Sequence, residues 1–336
     1  MRTVHAHDSL LLHLAPGAAP YAAFEEACPA LNGKPYTALC DVTLSEPNVC
    51  LLDRAEYRLE GERQWRDAEE ILRIDNAYRQ KLGLPLREAK LAQPWAQPDP
   101  GPAHALHLRF EIPCTQRVEG ARLALEHPER AVIRLDGRQV PSQAFGWFVD
   151  KAIQTIALPS LDAGTHWLEL DLSIDLRVGA EWCYLLGDFS VSVQGVHKTL
   201  GAPVRRLGFG DVTAQGLPFY CGNISYHLPM DACAGLGVEV SHYRGALLGL
   251  AVDAQEERPL AFAPYRMRFD GLTPGPHTLH ITLYGNRHNG FGPLHNADET
   301  LKWIGPNCWR SKGAAWCEEY RLKPLGILTA PRVDLT

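Results

Sequence analysis

From Leu168 to Leu176 the sequence alternates without a break: Leu168, Leu170, Leu172, Ile174 and Leu176 are separated by Glu169, Asp171, Ser173 and Asp175. Successive side chains of a strand point to opposite faces, so this pattern describes a strand with one buried and one wet face. The same period of two recurs at Phe189, Val191 and Val193, at Leu236, Val238 and Val240, and at Leu279, Ile281 and Leu283. Ile133 and Leu135 repeat it just before the turn pair Asp136-Gly137. Turn residues come roughly every ten positions, the spacing of an all-β sandwich.

One stretch occurs twice. Leu158 to Leu170 matches Phe269 to Ile281, with Leu161/Leu272, Gly164/Gly275, His166/His277 and Leu168/Leu279 in register 111 residues apart. Each copy runs on into an alternating strand, so two copies of one topology are expected. The fold class predicted is therefore all-β, as tandem jelly-roll β-sandwiches. The divisions are a β-sandwich over 104–200, a second over 205–336, and an irregular or linker segment over 1–103 in front. That segment is predicted to hold one amphipathic helix over 68–82, where Ala68, Ile71, Leu72, Tyr78 and Leu82 recur at helical steps. Asp67 and Glu70 give a D-x-x-E start, and Gly83 with Pro85 a stop. The proline-rich run from Gln93 to Pro102 reads as a linker.

Composition narrows the function. A net charge of −6 argues against nucleic acid, whose phosphates call for a basic surface. No apolar run approaches the ~18 residues of a membrane span. The short run Ser9 to Ala15 is interrupted by His13 and preceded by only one net cationic candidate, Arg2, which Asp8 offsets. It reads as a strand in preference to a cleaved leader. Nine cysteines, with no C-x-x-C pair, fit buried thiols of a reducing compartment better than a zinc site or disulfide framework. A cytoplasmic, bacterial protein is expected, with secretion as the alternative. Cys308 and Cys317 are the pair to examine for a disulfide.

Catalytic signatures are scarce: there is no G-x-S-x-G, H-E-x-x-H or P-loop. What the sequence does offer is aromatic residues set among short polar ones, the mix that stacks on the C–H faces of sugars and bonds their hydroxyls. Such clusters occur at Gly146–Lys151, Glu181–Asp188, Gly285–His295 and Trp303–Arg310. The candidate sugar-binding residues are Trp147, Trp182, Asn286, His288, Asn289, His295 and Trp309. The glycine-punctuated third cluster is expected to be a rim loop. Trp182 and Trp303 also suit a core. Glu181 and Asp188 are the candidate catalytic carboxyls, since glycoside hydrolysis needs two such groups about 5–9.5 Å apart. No cofactor is expected; a structural Ca²⁺ held by Asp, Asn and backbone carbonyls would leave little sequence trace.

Several segments together resemble a known family. They are Asp53–Tyr57, Glu70–Asp75, Gln93–Trp95, Glu181–Phe189, Gly216–Tyr220, Ala263–Arg266 and the Asn286–His295 loop. They are similar to the C-terminal β-domains of large bacterial glycoside hydrolases of the α-L-rhamnosidase type, and to the segment leading into them. The resemblance is diffuse and covers most of the chain from about residue 45. It implies galactose-binding-like accessory sandwiches, with the catalytic carboxylates in an N-terminal barrel that this chain lacks, so no catalytic residue carries over. The expected partners are an oligo- or polysaccharide and an upstream catalytic domain. A self-contained glycosidase using Glu181 or Asp188, and a scaffold that only packs against a barrel, are the competing expectations.

Overall fold

A computed structural model describes residues 30–86, 99–232, 234–301 and 304–335. The Ser9–Leu14 run, most of the proline-rich linker, and Trp303 lie outside these residues. The chain begins with β1 (Lys34–Pro35), β2 (Cys40–Leu44), β3 (Asn48–Leu52), β4 (Arg54–Leu59) and β5 (Arg66–Glu70), then the helix α1 (Ile71–Leu82). Next come β6 (His104–Cys114), β7 (Arg122–Glu126), β8 (Ala131–Leu135), β9 (Arg138–Val140) and β10 (Gly146–Phe148). They are followed by β11 (Asp150–Ala157), β12 (Gly164–Ile174), β13 (Cys183–Gly187), β14 (Ser190–Gln194) and β15 (His197–Gly201). The third group opens with β16 (Arg206–Leu207), β17 (Ile224–Ala232), β18 (Gly235–Glu239), β19 (Tyr243–Arg244) and β20 (Leu247–Val252). It closes with β21 (Arg258–Leu260), β22 (Arg266–Asp270), β23 (Gly275–Tyr284), the single-turn α2 (His288–Phe291), β24 (Gly326–Ile327) and β25 (Arg332–Leu335). The protein is all-β in class, as the alternation predicts.

The strands form two units of like connectivity. In the first, one sheet runs β10-β11-β7-β13-β3 and the other β14-β15-β6-β12-β8-β9, with β4 and β5 beside β6. In the second, the sheets run β1-β25-β18-β22 and β16-β2-β17-β23-β20-β21. The order β4-β6-β12-β8-β9 thus matches β2-β17-β23-β20-β21, and β3-β13-β7-β11 matches β1-β25-β18-β22. Each unit has its own apolar core. Leu123, Leu185 and Cys50 from one sheet meet Leu108, Ile133 and Leu170 from the other in the first unit. Leu236 and Val238 meet Leu228, Leu250 and Leu279 in the second. A fully buried leucine contributes about 1.5–3 kcal/mol, so these inward rows are what hold the layers together.

The repeat seen in sequence is the same device built twice. In β12, His166 Nδ1 lies 2.7 Å from Asp136 Oδ2, His166 Nε2 lies 2.9 Å from the Asp162 carbonyl, and the Trp167 N–H donates to Asp136 Oδ1 at 2.9 Å. In β23, His277 repeats this with Asp253 Oδ2 at 2.6 Å and the Thr273 carbonyl at 2.7 Å, and the Thr278 N–H donates to Asp253 Oδ1 at 2.8 Å. Both aspartates sit in the left-handed region, at φ 50° and 52°. That conformation is uncommon for a side-chain-bearing residue, though aspartate is enriched there, and it turns the chain between neighbouring strands.

The expectation of an irregular segment over 1–103 fails where that segment is described. Residues 34–70 supply β1 to β5, with β1 and β2 in the second unit and β3 to β5 in the first. The helix also starts later than predicted. Residues 66–70 are held as strand by pairing with β4, so the cap is Glu70, whose carboxylate accepts from the N–H groups of Leu72 and Arg73. Its end is as predicted: Gly83 at φ 70° bonds Gln80 O, and Leu84 N–H bonds Arg79 O.

Candidate functional site

The glycine-punctuated loop after β23, expected at a rim, is packed inward. Asn289 is buried and exchanges two hydrogen bonds with the Lys323 backbone, at 2.8 and 2.9 Å. His295 is buried too: Nδ1 lies 3.0 Å from the Cys317 carbonyl and Nε2 lies 2.8 Å from Asp53 Oδ2. A carbonyl only accepts, and the Asp53 carboxylate also accepts, so both ring nitrogens carry hydrogen and the imidazole is cationic. Burial alone would lower its pKa, but Asp53 more than reverses this and holds the ring protonated.

Asp53 is the centre of a buried polar hub. Its Oδ1 accepts from Lys198 Nζ at 2.5 Å and from Tyr320 OH at 2.7 Å, and Lys198 lies 2.8 Å from that same hydroxyl. Burial works to raise the Asp53 carboxyl; Lys198 and His295 outweigh it and keep it below the usual carboxylate range. Beside it, burial pushes Glu70 up to about 7, even though Trp182 Nε1 donates to it at 2.7 Å. Trp182 is accordingly buried, edge-on to His295 at 6.2 Å between ring centres. The hub ties β3–β5, β13, β15 and the 285–325 loop together. Of its members only Tyr320 reaches the wall of a sizeable cleft, about 790 Å³, between β14 and residues 213–218. It works as a staple, its members bonding one another and holding the loop.

The other nominated residues are scattered. Asn286 Oδ1 accepts from the His288 N–H at 3.0 Å, and His288 is half-buried, its pKa lowered by burial and then by Lys323. Trp309 packs partly buried against the first core. Glu181 and Asp188 stand beyond opposite ends of β13, roughly 20 Å apart at strand rise. They line different clefts, and Asp188 is exposed and ion-paired to Arg205. That separation is too great for the two to serve as one acid/base pair. Cys308 and Cys317 are both thiols, not a disulfide. Among the described residues no three His, Cys, Asp or Glu side chains gather in a way that would hold a metal.

Trp147 alone of the nominated tryptophans faces outward, 56% exposed on β10, the edge strand of its sheet. Phe145, two residues before, is 59% exposed, and residues two apart in extended chain share a face. Phe148 turns the other way into the core, 5.4 Å from Tyr184 and 5.6 Å from Phe291. It anchors the strand beneath the exposed rings. Val149 then adopts φ 62°, a strained conformation for a β-branched residue. Ser142, Gln143, Asp150 and Lys151, close by in sequence, are exposed as well. Sequence reading found Trp147 through its aromatic–polar neighbourhood but passed over Phe145, and missed Asp53, Lys198 and Tyr320, whose partners are 122–267 residues away.

No family model matches the sequence, and no curated relative does. Solved structures give partial superpositions. A rhamnosidase from Novosphingobium sp. PP1Y is 15% identical, covering 70% of this chain and 23% of its own, at a TM-score of 0.27. A GH2 β-galacturonidase from Eisenbergiella tayi bound to galacturonate is 10% identical over 70% of this chain and 37% of its own, at 0.27. An α-L-rhamnosidase from Streptomyces avermitilis complexed with L-rhamnose is 16% identical over 63% and 24%, at 0.25. The chain thus spans about a quarter to a third of the length of these structures.

Proposed function

We propose that this chain is a non-catalytic, carbohydrate-binding accessory region of a glycoside hydrolase, built on galactose-binding-like jelly-roll units and working beside an upstream catalytic domain. The observation that carries the reading is the exposed pair of Trp147, on edge strand β10, and Phe145, just before it, anchored from below by Phe148. A ring held outward, with exposed amide, hydroxyl and charged residues nearby in the chain, suits the alternating C–H faces and hydroxyls of a sugar. The larger clefts are lined by other residues, so the platform is open and favours a polysaccharide chain over a small sugar enclosed in a pocket. The separation of Glu181 from Asp188 supports binding without turnover.

The test pairs a panel of soluble polysaccharides with a panel of aryl glycosides on one preparation. Binding without hydrolysis is expected, and Trp147→Ala should weaken it at least tenfold, equal to about 1.4 kcal/mol. Binding that is unchanged in Trp147→Ala, or hydrolysis that is lost in Glu181→Gln or Asp188→Asn, would overturn the reading.

A further inference from the structure

The loop that carries Trp147 has a counterpart in the second unit. Residues 141–149 leave β9, which pairs with β8, and enter β11, which pairs with β7. Residues 261–265 leave β21, which pairs with β20, and enter β22, which pairs with β18. Both loops therefore cross between the two sheets at the same step of the same topology.

They share two features beyond this connectivity. Each ends on a residue other than glycine in the left-handed region immediately before the receiving strand: Val149 at φ 62° before Asp150, and Tyr265 at φ 52° before Arg266. Each turns one aromatic ring inward and another outward. In the second unit Tyr265 is the inward ring, set edge-on to Tyr243 at 5.5 Å between centres, and Phe262 is the outward one, 54% exposed. The Tyr265 N–H bonds Phe262 O at 3.0 Å, and Tyr265 O accepts from Val240 N–H at 3.0 Å, which fixes the outward ring to the sheet. Apolar burial does not explain a phenylalanine held out in this way, and a bulky residue at positive φ marks a place where the chain gives up local stability.

We infer that Phe262 is a second glycan-contact residue, so that the chain grips one polysaccharide through two equivalent loops, one in each unit. The inference rests on the carbohydrate reading above. Two weak contacts on one chain act at high effective concentration, so a long polymer gains from both while a short fragment reaches only one.

The experiment compares the full chain with Trp147→Ala, Phe262→Ala and the double variant. Each is titrated with a soluble galactan, a xylan and a rhamnose-containing pectin, and with a tetrasaccharide cut from whichever polymer binds. Both side chains are more than half exposed, so the folded state should persist, and Phe262→Trp serves as the conservative control that keeps binding. Phe262→Ala is expected to weaken polymer binding about tenfold and tetrasaccharide binding no more than about twofold, with the double variant losing polymer binding altogether. If Phe262→Ala binds polymer like the parent while Trp147→Ala is weakened, the inference fails and the proposed function stands. If neither substitution weakens binding, or the parent binds no glycan, both fail.

Discussion

The two units share a frame and differ in what is attached to it. Both use the His–Asp turn, at His166/Asp136 and His277/Asp253, and both carry an aromatic crossover loop. On the outer face, β4, β6 and β12 set Glu56 against Arg109, whose guanidinium lies 4.5 Å from the Trp167 ring centre and 4.6 Å from that of Trp65. At the matching positions of β2, β17 and β23 stand Asp41, His227 and His280, with the two imidazole Nδ1 atoms 2.8 Å apart. The first unit adds α1, β5, the β14–β15 hairpin and the hub around Asp53; its counterpart to Asp53, the short link between β1 and β2, is Tyr36–Leu39. The His–Asp turn common to both units belongs to the frame, whereas the outward rings of the two crossover loops carry the proposed recognition. The hub around Asp53, which only the first unit holds, ties its strands to the 285–325 loop.

The most severe way to break this comparison is Asp53→Ala. It would leave Lys198 and His295 buried without their counter-charge, at a cost of about 3–5 kcal/mol. Hydrogen exchange should show the loss concentrated in the first unit; equal loosening of both units would contradict the division. Next, Leu168→Ala and Leu279→Ala, at matched and fully buried positions, should each cost about 2–5 kcal/mol and differ little in denaturant unfolding. A large disparity would mean the two frames are not equivalent.

A gentler probe is pH. Burial raises Glu70 from 4.5 to about 7, so the folded state binds a proton that the unfolded chain releases. Its effect is a loss of stability as pH climbs from about 4.5 through about 7, and Glu70→Gln should flatten that part of the profile; an unchanged slope would refute it. The smallest effect expected is spectroscopic. Carboxylate and carbonyl partners raise both His166 and His277 above 6.5, outweighing burial, which is the largest single influence at His166 and a lesser one at His277. The stabilisation from each turn is thus complete below pH 6.5 and fades as pH rises through the higher folded value. NMR titration of the two rings should give midpoints shifted the same way, and a normal midpoint at one of them would break the pairing.

The sequence made the frame legible because a strand with one wet face announces itself by alternation, as β12 and β23 do. The strands before α1 did not. β3 is buried at all five positions, β1 has two residues, and Asp67 with Glu70 imitates a helix start inside β5. The 285–325 loop departs from its rim-like sequence for a related reason. Asn289 and His295 have the composition of a rim, and the partners that bury them, Lys323 and Asp53, are remote in the chain. Trp147 was legible as an aromatic among polar neighbours, while Phe262 became meaningful only once β21 and β22 could be laid over β9 and β11.

The interleaving of the opening strands sets an order of events for a growing chain. β3 and β4 need only wait for partners within the next 140 residues, Cys183–Gly187 being the furthest. β1, which precedes them, pairs Lys34 with Val333 and so stays unpaired until that far later strand has been synthesised. Closing so long a loop is slow, and an unmatched edge is open to the wrong neighbour in the interval. The first repeat should therefore be finished while the second is still open, and the yield of native protein should depend on how long that opening strand goes without its mate.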